Sequence, residues 1–223
     1  MGTAERKERE KQRRRNDILD AAEEVFFEKG FRNATMDDVA EKAEVAKGTL
    51  YLHFKSREML QIAINVRAMT VLKERFYAAV AGKPNGAEKL MAIGWAYIRF
   101  AEEFPYYFRA MSFFETLGPE DLEKIKDEPG AMASHESGSA ILGLMAETVR
   151  EGQADGSLRE DLDPMKTAIL LWAGGNGAIQ MHRNKGDHMV ECHGLPAGFV
   201  LDEFMLFCSR SLLKDPSQYK PEE

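Results

Sequence analysis

The sequence has no apolar run near the ~20 residues that a membrane-spanning helix needs, so no such helix is expected. It is also poor in cysteine. Cys192 and Cys208 are too few for a disulfide framework, and a reducing cytoplasm is the simplest setting. The charged N-terminus has no apolar segment behind it, so no secretory signal is expected there. Alternating strand patterns and internal repeats are absent. No nucleophile elbow or paired-carboxylate arrangement stands out. Gly175-x-Gly177 lacks the third glycine and the preceding strand of a dinucleotide site. His182, His188, Cys192 and His193 crowd one stretch, but their spacing, H-x5-H-x3-C-H, matches no zinc pattern and reads as a polar loop. No metal, cofactor or catalytic residue is therefore expected.

What is present is helical periodicity. The 223 residues are 44% hydrophobic and 30% charged, which suits one large or two modest globular domains. Ile18, Ala22, Val25 and Phe26 make one apolar stripe, stopped by Gly30. Thr35 can cap a second helix whose first turn carries Asp37 and Asp38. A third short helix runs from about Lys47 to Phe54. Ser56 then opens a long one that reaches about Ala81. Further helices are expected over Ala87–Glu103, over the aromatic-rich "YYFRAMSFFE", and over about Ala133–Glu151, Met165–Asn184 and Ala197–Lys214. Gly118–Gly130 reads as a loop or broken helix, and Lys185–Pro196 as a connector. The expected class is all-α.

Charge is unevenly spread. Residues 1–60 hold 13 Lys+Arg against 13 Asp+Glu, while residues 61–223 hold 17 against 24, so the net −7 resides in the later part. Within "RKEREKQRRR", Arg6 to Arg15, seven bases face two acids. Residues 1–15 are read as a basic arm, able to find phosphate even if the rest of the chain repels it. A solvated, disordered tail has the same composition.

Three short helices with tight turns form a helix-turn-helix arrangement. On the third, Leu50 and Phe54 point inward. Lys47, Thr49 and His53 point away, with Tyr51 at the edge. A helix in the DNA major groove needs that division, with small or polar groups toward base edges and flanking donors on phosphates. A polar solvated face shows the same pattern. The stretch "ILDAAEEVFFEKGFRNATMDDVAEKAEVAKGTLYLHFKSREML", Ile18 to Leu60, resembles the DNA-binding domain of the TetR/AcrR (tetracycline-repressor-like) transcriptional regulators. The likeness lies in Phe26, Gly30 and Phe31, in Thr35 ahead of Val39-Ala40, and in the Gly-Thr-Leu-Tyr-x-His-Phe run at Gly48–Phe54.

The resemblance implies a small DNA-binding domain, residues 16–60, joined to a larger helical ligand-binding and dimerisation domain, residues 61–223. It implies that Thr35 contacts phosphate and that Lys47, Gly48 and Thr49 enter the major groove. Tyr51 and His53 would contact phosphates or bases at the groove edge, and Lys55 and Arg57 would hold phosphate. The turn Glu44-Val45-Ala46 departs from the Gly-Val-Ser common in the family. Glu44 must turn without glycine, at a cost of about 1 kcal/mol. Ala46 cannot cap the third helix by side chain, a loss of about 1 kcal/mol relative to serine. Leu52 stands where an aromatic is common.

In the second domain, Trp95, Phe114, Met145 and Trp172 are candidate lining for an effector pocket, with Arg99 and Asn176 as polar anchors. Core filling and an exposed helix face are the competing readings. The implied effector is a small apolar or aromatic molecule. Three glycines in "LLWAGGNGAIQ", Leu170 to Gln180, cost roughly 1 kcal/mol each within a helix, which close helix approach can offset. The resemblance places the helices at about 165–184 and 197–214 in a homodimer interface, with intrachain packing as the alternative. The leading reading is a ligand-responsive repressor that binds a near-palindromic operator as a dimer. A constitutive DNA-binding module without a ligand and an all-helical enzyme are the alternatives.

Overall fold

A helical period runs through nearly all of the chain that can be described. A computed structural model describes residues 2–116, 118, 120, 123 and 129–218. Its α-helices are α1 (Thr3–Lys29), α2 (Met36–Lys42), α3 (Lys47–His53), α4 (Arg57–Val80), α5 (Gly86–Glu103), α6 (Pro105–Glu115), α7 (Pro129–Asp155), α8 (Pro164–His193) and α9 (Phe199–Leu212). Among the described residues the β pairing is one isolated bridge, Leu158 with Leu213. The fold is all-α. No described helix is long and apolar enough to cross a membrane. The Gly118–Gly130 stretch lies largely outside the described residues.

The chain divides into two compact units, Met1–Met69 with Tyr106–His135, and Thr70–Pro105 with Glu136–Glu223. The first unit therefore takes in more than the segment up to residue 60. It includes the first half of α4, nearly all of α6 and the first turns of α7. Its core joins Ile18, Ala22 and Phe26 of α1 to Val39 of α2, Leu50 of α3, Phe54, Ile64 of α4 and Ala110 of α6. Phe31 stacks on Phe26 at 5.3 Å and on Phe113 at 5.8 Å. Arg67 of α4 ties this unit together with ion pairs to Asp20 at 2.5 Å and Glu23 at 3.0 Å. Burial raises the Glu23 carboxyl pKa against the pull of Arg67, and Tyr107 donates to it at 3.1 Å.

The basic arm is not a separate tail. α1 begins at Thr3 and runs unbroken to Lys29. Residues 3–17 contain neither glycine nor proline and are rich in Ala, Glu, Lys, Arg and Gln, all strong helix formers. Arg6 pairs with Glu10 at 3.1 Å and Gln12 with Asn16 at 3.2 Å, both one turn apart. α1 ends at Gly30, whose φ of 81° lies in the region that glycine tolerates.

In the second unit, α5, α8 and α9 pack on one another. Asp163 caps α8, its Oδ1 accepting from the Lys166 N–H at 2.9 Å, with Pro164 at the first turn. The expected connector at Lys185–Pro196 is a correction: α8 continues to His193 and stops at Gly194, whose φ is 62°. The stretch carries polar residues on a largely exposed helix, so it has no apolar stripe to announce it. His182, His188, Cys192 and His193 consequently lie on a helix, not a loop. No three His, Cys, Asp or Glu side chains are gathered for a metal among the described residues.

Candidate DNA-reading face and apolar cavity

The α2–α3 turn is built from local capping and turn signals. Thr35 caps α2 reciprocally: its Oγ1 accepts from the Asp38 N–H at 3.2 Å, and the Asp38 carboxylate accepts from the Thr35 N–H at 3.0 Å. Lys29 holds the same carboxylate at 2.6 Å, and these hydrogen bonds bring the Asp38 pKa down to about 2. Glu44 takes φ 51°, the left-handed turn that glycine would take at less strain. Ala46 starts α3 without a side-chain cap. Its carbonyl accepts from the Thr49 and Leu50 N–H groups at 2.8 and 3.1 Å.

Leu50 and Phe54 are fully buried, which fixes the rotation of α3. The opposite side is then presented outward. Lys47, Gly48, Tyr51 and Leu52 are exposed, and Thr49 and His53 are half-buried. Leu52, 83% exposed, offers an apolar surface where an aromatic is common. A Cβ at Gly48 would meet nothing within 4 Å outside its own helix, so a ligand's backbone can come close on that side. Thr35 and Lys55 are exposed and Arg57 is half-buried. All eight predicted contact residues thus fall between residues 35 and 57 of one unit, and none is buried.

Two of their cations already have partners. Lys47 Nζ lies 2.6 Å from the Asp37 carboxylate, which raises the ammonium pKa. Arg57 Nη1 donates to the Arg32 carbonyl at 3.2 Å, tying the start of α4 to the loop after α1. His53 is held below its ordinary pKa by burial first, then by the nearby charges of Arg15, Lys11 and Arg14. Those three bases of α1 are absent from the sequence-predicted site. Their one-turn spacing ahead of the Ile18 stripe was the signal available for them.

The second unit holds an apolar cavity of about 40 Å³ that opens to solvent. Phe76 of α4, Met91 and Tyr97 of α5 and Met145 of α7 form part of its wall. α8 contributes Trp172, Gly175 and Ala178, and α9 contributes Phe204, Met205 and Cys208. Of the candidate lining residues, Met145 and Trp172 are on this wall. Trp95, Arg99, Phe114 and Asn176 are not: Arg99 is exposed, and Phe114 lies on α6 in the other unit. Asn176 is buried beside the cavity, its side-chain oxygen accepting from the Tyr97 hydroxyl. Tyr97 also stacks on Trp172 at 5.1 Å. Burial pushes the Cys208 thiol pKa up to about 11, so it stays protonated.

The glycines of α8 divide by direction. A Cβ at Gly174 would lie 2.9 Å from the Phe204 ring, and one at Gly175 would lie 3.4 Å from Tyr97. Both serve close packing within the chain. Gly177 faces open space. Its exposed neighbours include Ile169, Leu170 and Met181 on α8, with Leu170 71% exposed. Phe207 on α9 is 67% exposed.

Comparison with known proteins agrees with this layout. Residues 18–64 match the family model described as "Bacterial regulatory proteins, tetR family". Residues 90–191 match "Tetracyclin repressor-like, C-terminal domain". The HTH-type transcriptional activator FasR of Mycolicibacterium smegmatis is 35% identical over 89 residues, 40% of this chain and 41% of FasR. The chain therefore aligns with about two fifths of that relative. The HTH-type transcriptional repressor KstR2 of the same species is 24% identical over 150 residues, covering 67% of this chain and 70% of KstR2. The structure of AibR in complex with isovaleryl coenzyme A and operator DNA shares the fold at a TM-score of 0.65 and 17% identity, covering 87% of this chain and 97% of that one. FasR and KstR2 are named as transcriptional regulators, not enzymes. The chain, with a helix-turn-helix in one unit and an apolar cavity in the other, belongs to the TetR family of bacterial transcriptional regulators.

Proposed function

We propose that the protein is a ligand-responsive repressor that binds a near-palindromic operator as a homodimer and releases it when a small apolar effector enters the cavity. The observation that carries this reading is the cavity itself. Its wall is almost wholly apolar, and its rings and thioethers surround space that a fully packed core would fill. Thr49 reads bases, Lys47 and Gly48 approach the major groove, and Thr35, Tyr51, His53, Lys55 and Arg57 hold phosphate or the groove edge. Residues 16–60 are the reading head, and residues 61–223 carry the sensor and the dimer surface. Met145, Trp172 and the Tyr97–Asn176 pair respond to the effector. The exposed faces of α8 and α9, with Leu170, Gly177 and Phe207, meet a second copy of the chain. That places two reading heads on one DNA face about 34 Å apart. The cytoplasm is the setting of such a regulator.

The part of the effector that enters the cavity is apolar and without charge, because the wall offers no charged group, and any charged headgroup stays at the open mouth. The acyl thioester held by AibR is one class to test. Ligand entry favours one dimer geometry over another, and only the difference in affinity between the two drives release.

A mobility-shift experiment tests the reading. DNA from upstream of the gene should form a salt-sensitive complex, and acyl-coenzyme A thioesters or free fatty acids should dissolve it for the intact cavity only. Ala178→Leu, which fills part of the cavity, should keep the complex but resist the ligand. A complex that no apolar ligand disturbs would favour the constitutive module, and failure to bind any genomic fragment would sink the proposal.

A further inference from the structure

Every described side chain from Ala4 to Arg14 is exposed, yet these residues are helical. A helix this short is marginal in water by itself, and it buries nothing here. Its continuity with the anchored half of α1 holds it in place. At 100° per residue, Lys7, Lys11 and Arg14 fall within about 60° of one another, and Ile18, Ala22 and Val25 continue the same line. The face that enters the core from Ile18 onward is therefore a basic stripe before it. Glu8 and Glu10 flank the stripe, and Glu10 is engaged by Arg6 at 3.1 Å. Arg6, Arg9 and Arg13 lie on the opposite face.

The stripe meets the reading head at a defined contact. Arg15 packs its guanidinium 4.2 Å over the Phe54 ring, at the end of α3. Lys11 and Arg14 are near enough to His53 to depress its pKa. Cations so close to a face that meets DNA repel one another and gain only from an anionic partner.

We propose that the first turns of α1 are a second DNA-contact element, in which Lys7, Lys11 and Arg14 grip backbone phosphates flanking the base pairs read by α3. This rests on α3 occupying the major groove. Thr3 to Arg14 at 1.5 Å per residue spans about 18 Å, or about five base pairs of duplex. The element adds affinity and footprint length but no sequence information, since phosphates carry none.

The test compares two charge-matched variants of the full chain, Lys7→Gln/Lys11→Gln/Arg14→Gln and Arg6→Gln/Arg9→Gln/Arg13→Gln. Glutamine keeps helix propensity, and circular dichroism checks that both remain folded. Binding is measured against salt on upstream DNA and on random duplex, with hydroxyl-radical footprints on the former. The first variant should flatten the slope of log affinity against log salt by roughly 5 units for the dimer, at about 0.9 per phosphate and three phosphates per protomer, and shorten the protected region at its outer edges. The second should change the slope by less than about 1 unit and leave the footprint intact. Equal losses in both variants would mean diffuse attraction and overturn the proposal. So would an unchanged slope and footprint in the first. Thr49→Ala, run alongside, separates the two readings: unaltered sequence preference there sinks the α3 role, whatever the α1 variants do.

Discussion

Phe54 and Phe76 are both buried to 1% exposure or less, but their surroundings differ. Phe54 sits in a filled core beside Leu50, Ile18 and Ile64, with Arg15 over its ring. Phe76 faces a cavity whose wall includes Met91, Met145 and Met205. The first arrangement fixes α3, because a packed core has few alternatives. The second leaves thioethers and rings that can shift, because flexible side chains beside a void move at small cost. The same chain thus has a filled region around α3 and a looser one around the cavity.

The sharpest way to break the contrast is Phe54→Ala. It should cost about 3–5 kcal/mol in urea unfolding and abolish specific DNA binding. A loss under about 1 kcal/mol would mean that the reading head is not held by packing. Next come two insertions of equal size. Ala22→Leu, into the filled core, should destabilise by about 1–3 kcal/mol, whereas Ala178→Leu, into the cavity, should cost under about 1 kcal/mol. Similar costs in the same denaturation assay would erase the difference between the units. Thr35→Ala should lose about 1 kcal/mol with the cap of α2 and weaken DNA binding on all sequences alike. Undiminished stability would show that Asp38 and Lys29 hold that turn without it.

The smallest effect is in pH. The folded His53 pKa is lowered by burial and by Arg15, Lys11 and Arg14, so the imidazole is neutral at pH 7. Its contribution to stability is present above the unfolded pKa of about 6.5 and is lost as pH falls through the lowered folded value. Phosphate nearby would favour the protonated form. DNA affinity should therefore rise modestly from pH 8 to pH 6, and His53→Gln should flatten the trend. A trend identical in wild type and variant would remove His53 from the phosphate contacts.

The helices of the first unit were legible because local signals coincide there. Gly30, Thr35, Leu50 and Phe54 mark the ends and rotation of α1 to α3 with little help from distant residues. The strain at Glu44 was legible for the same reason. The helical start of α1 was masked by its charge, since a solvated tail and a solvated helix have the same composition. α8 beyond Asn184 was missed because an exposed helix has no apolar period. The cavity was half legible. Aromatic and Met residues at helical spacing suit a wall or a core equally well, so Met145 and Trp172 could not be told from Trp95 and Phe114. Phe204, Met205 and Cys208 reach the wall from a helix far along the chain, through contacts that no local pattern encodes. Gly174 and Gly175 show the same limit: their sequence signals close approach but not to which partner.

In the proposed division of labour, α3 reads sequence while its flanks only hold phosphate. The most direct measurement is the affinity ratio of selected genomic fragments to random duplex for Thr49→Ala and Lys55→Ala at several salt concentrations. Thr49→Ala should shrink the ratio, by about 1–3 kcal/mol of discrimination if its base contact is strong. Lys55→Ala should leave the ratio unchanged, lower both affinities, and reduce the salt slope by about 2, one phosphate for each protomer of the dimer. Equal proportional losses on selected and random DNA for both variants would contradict the claim.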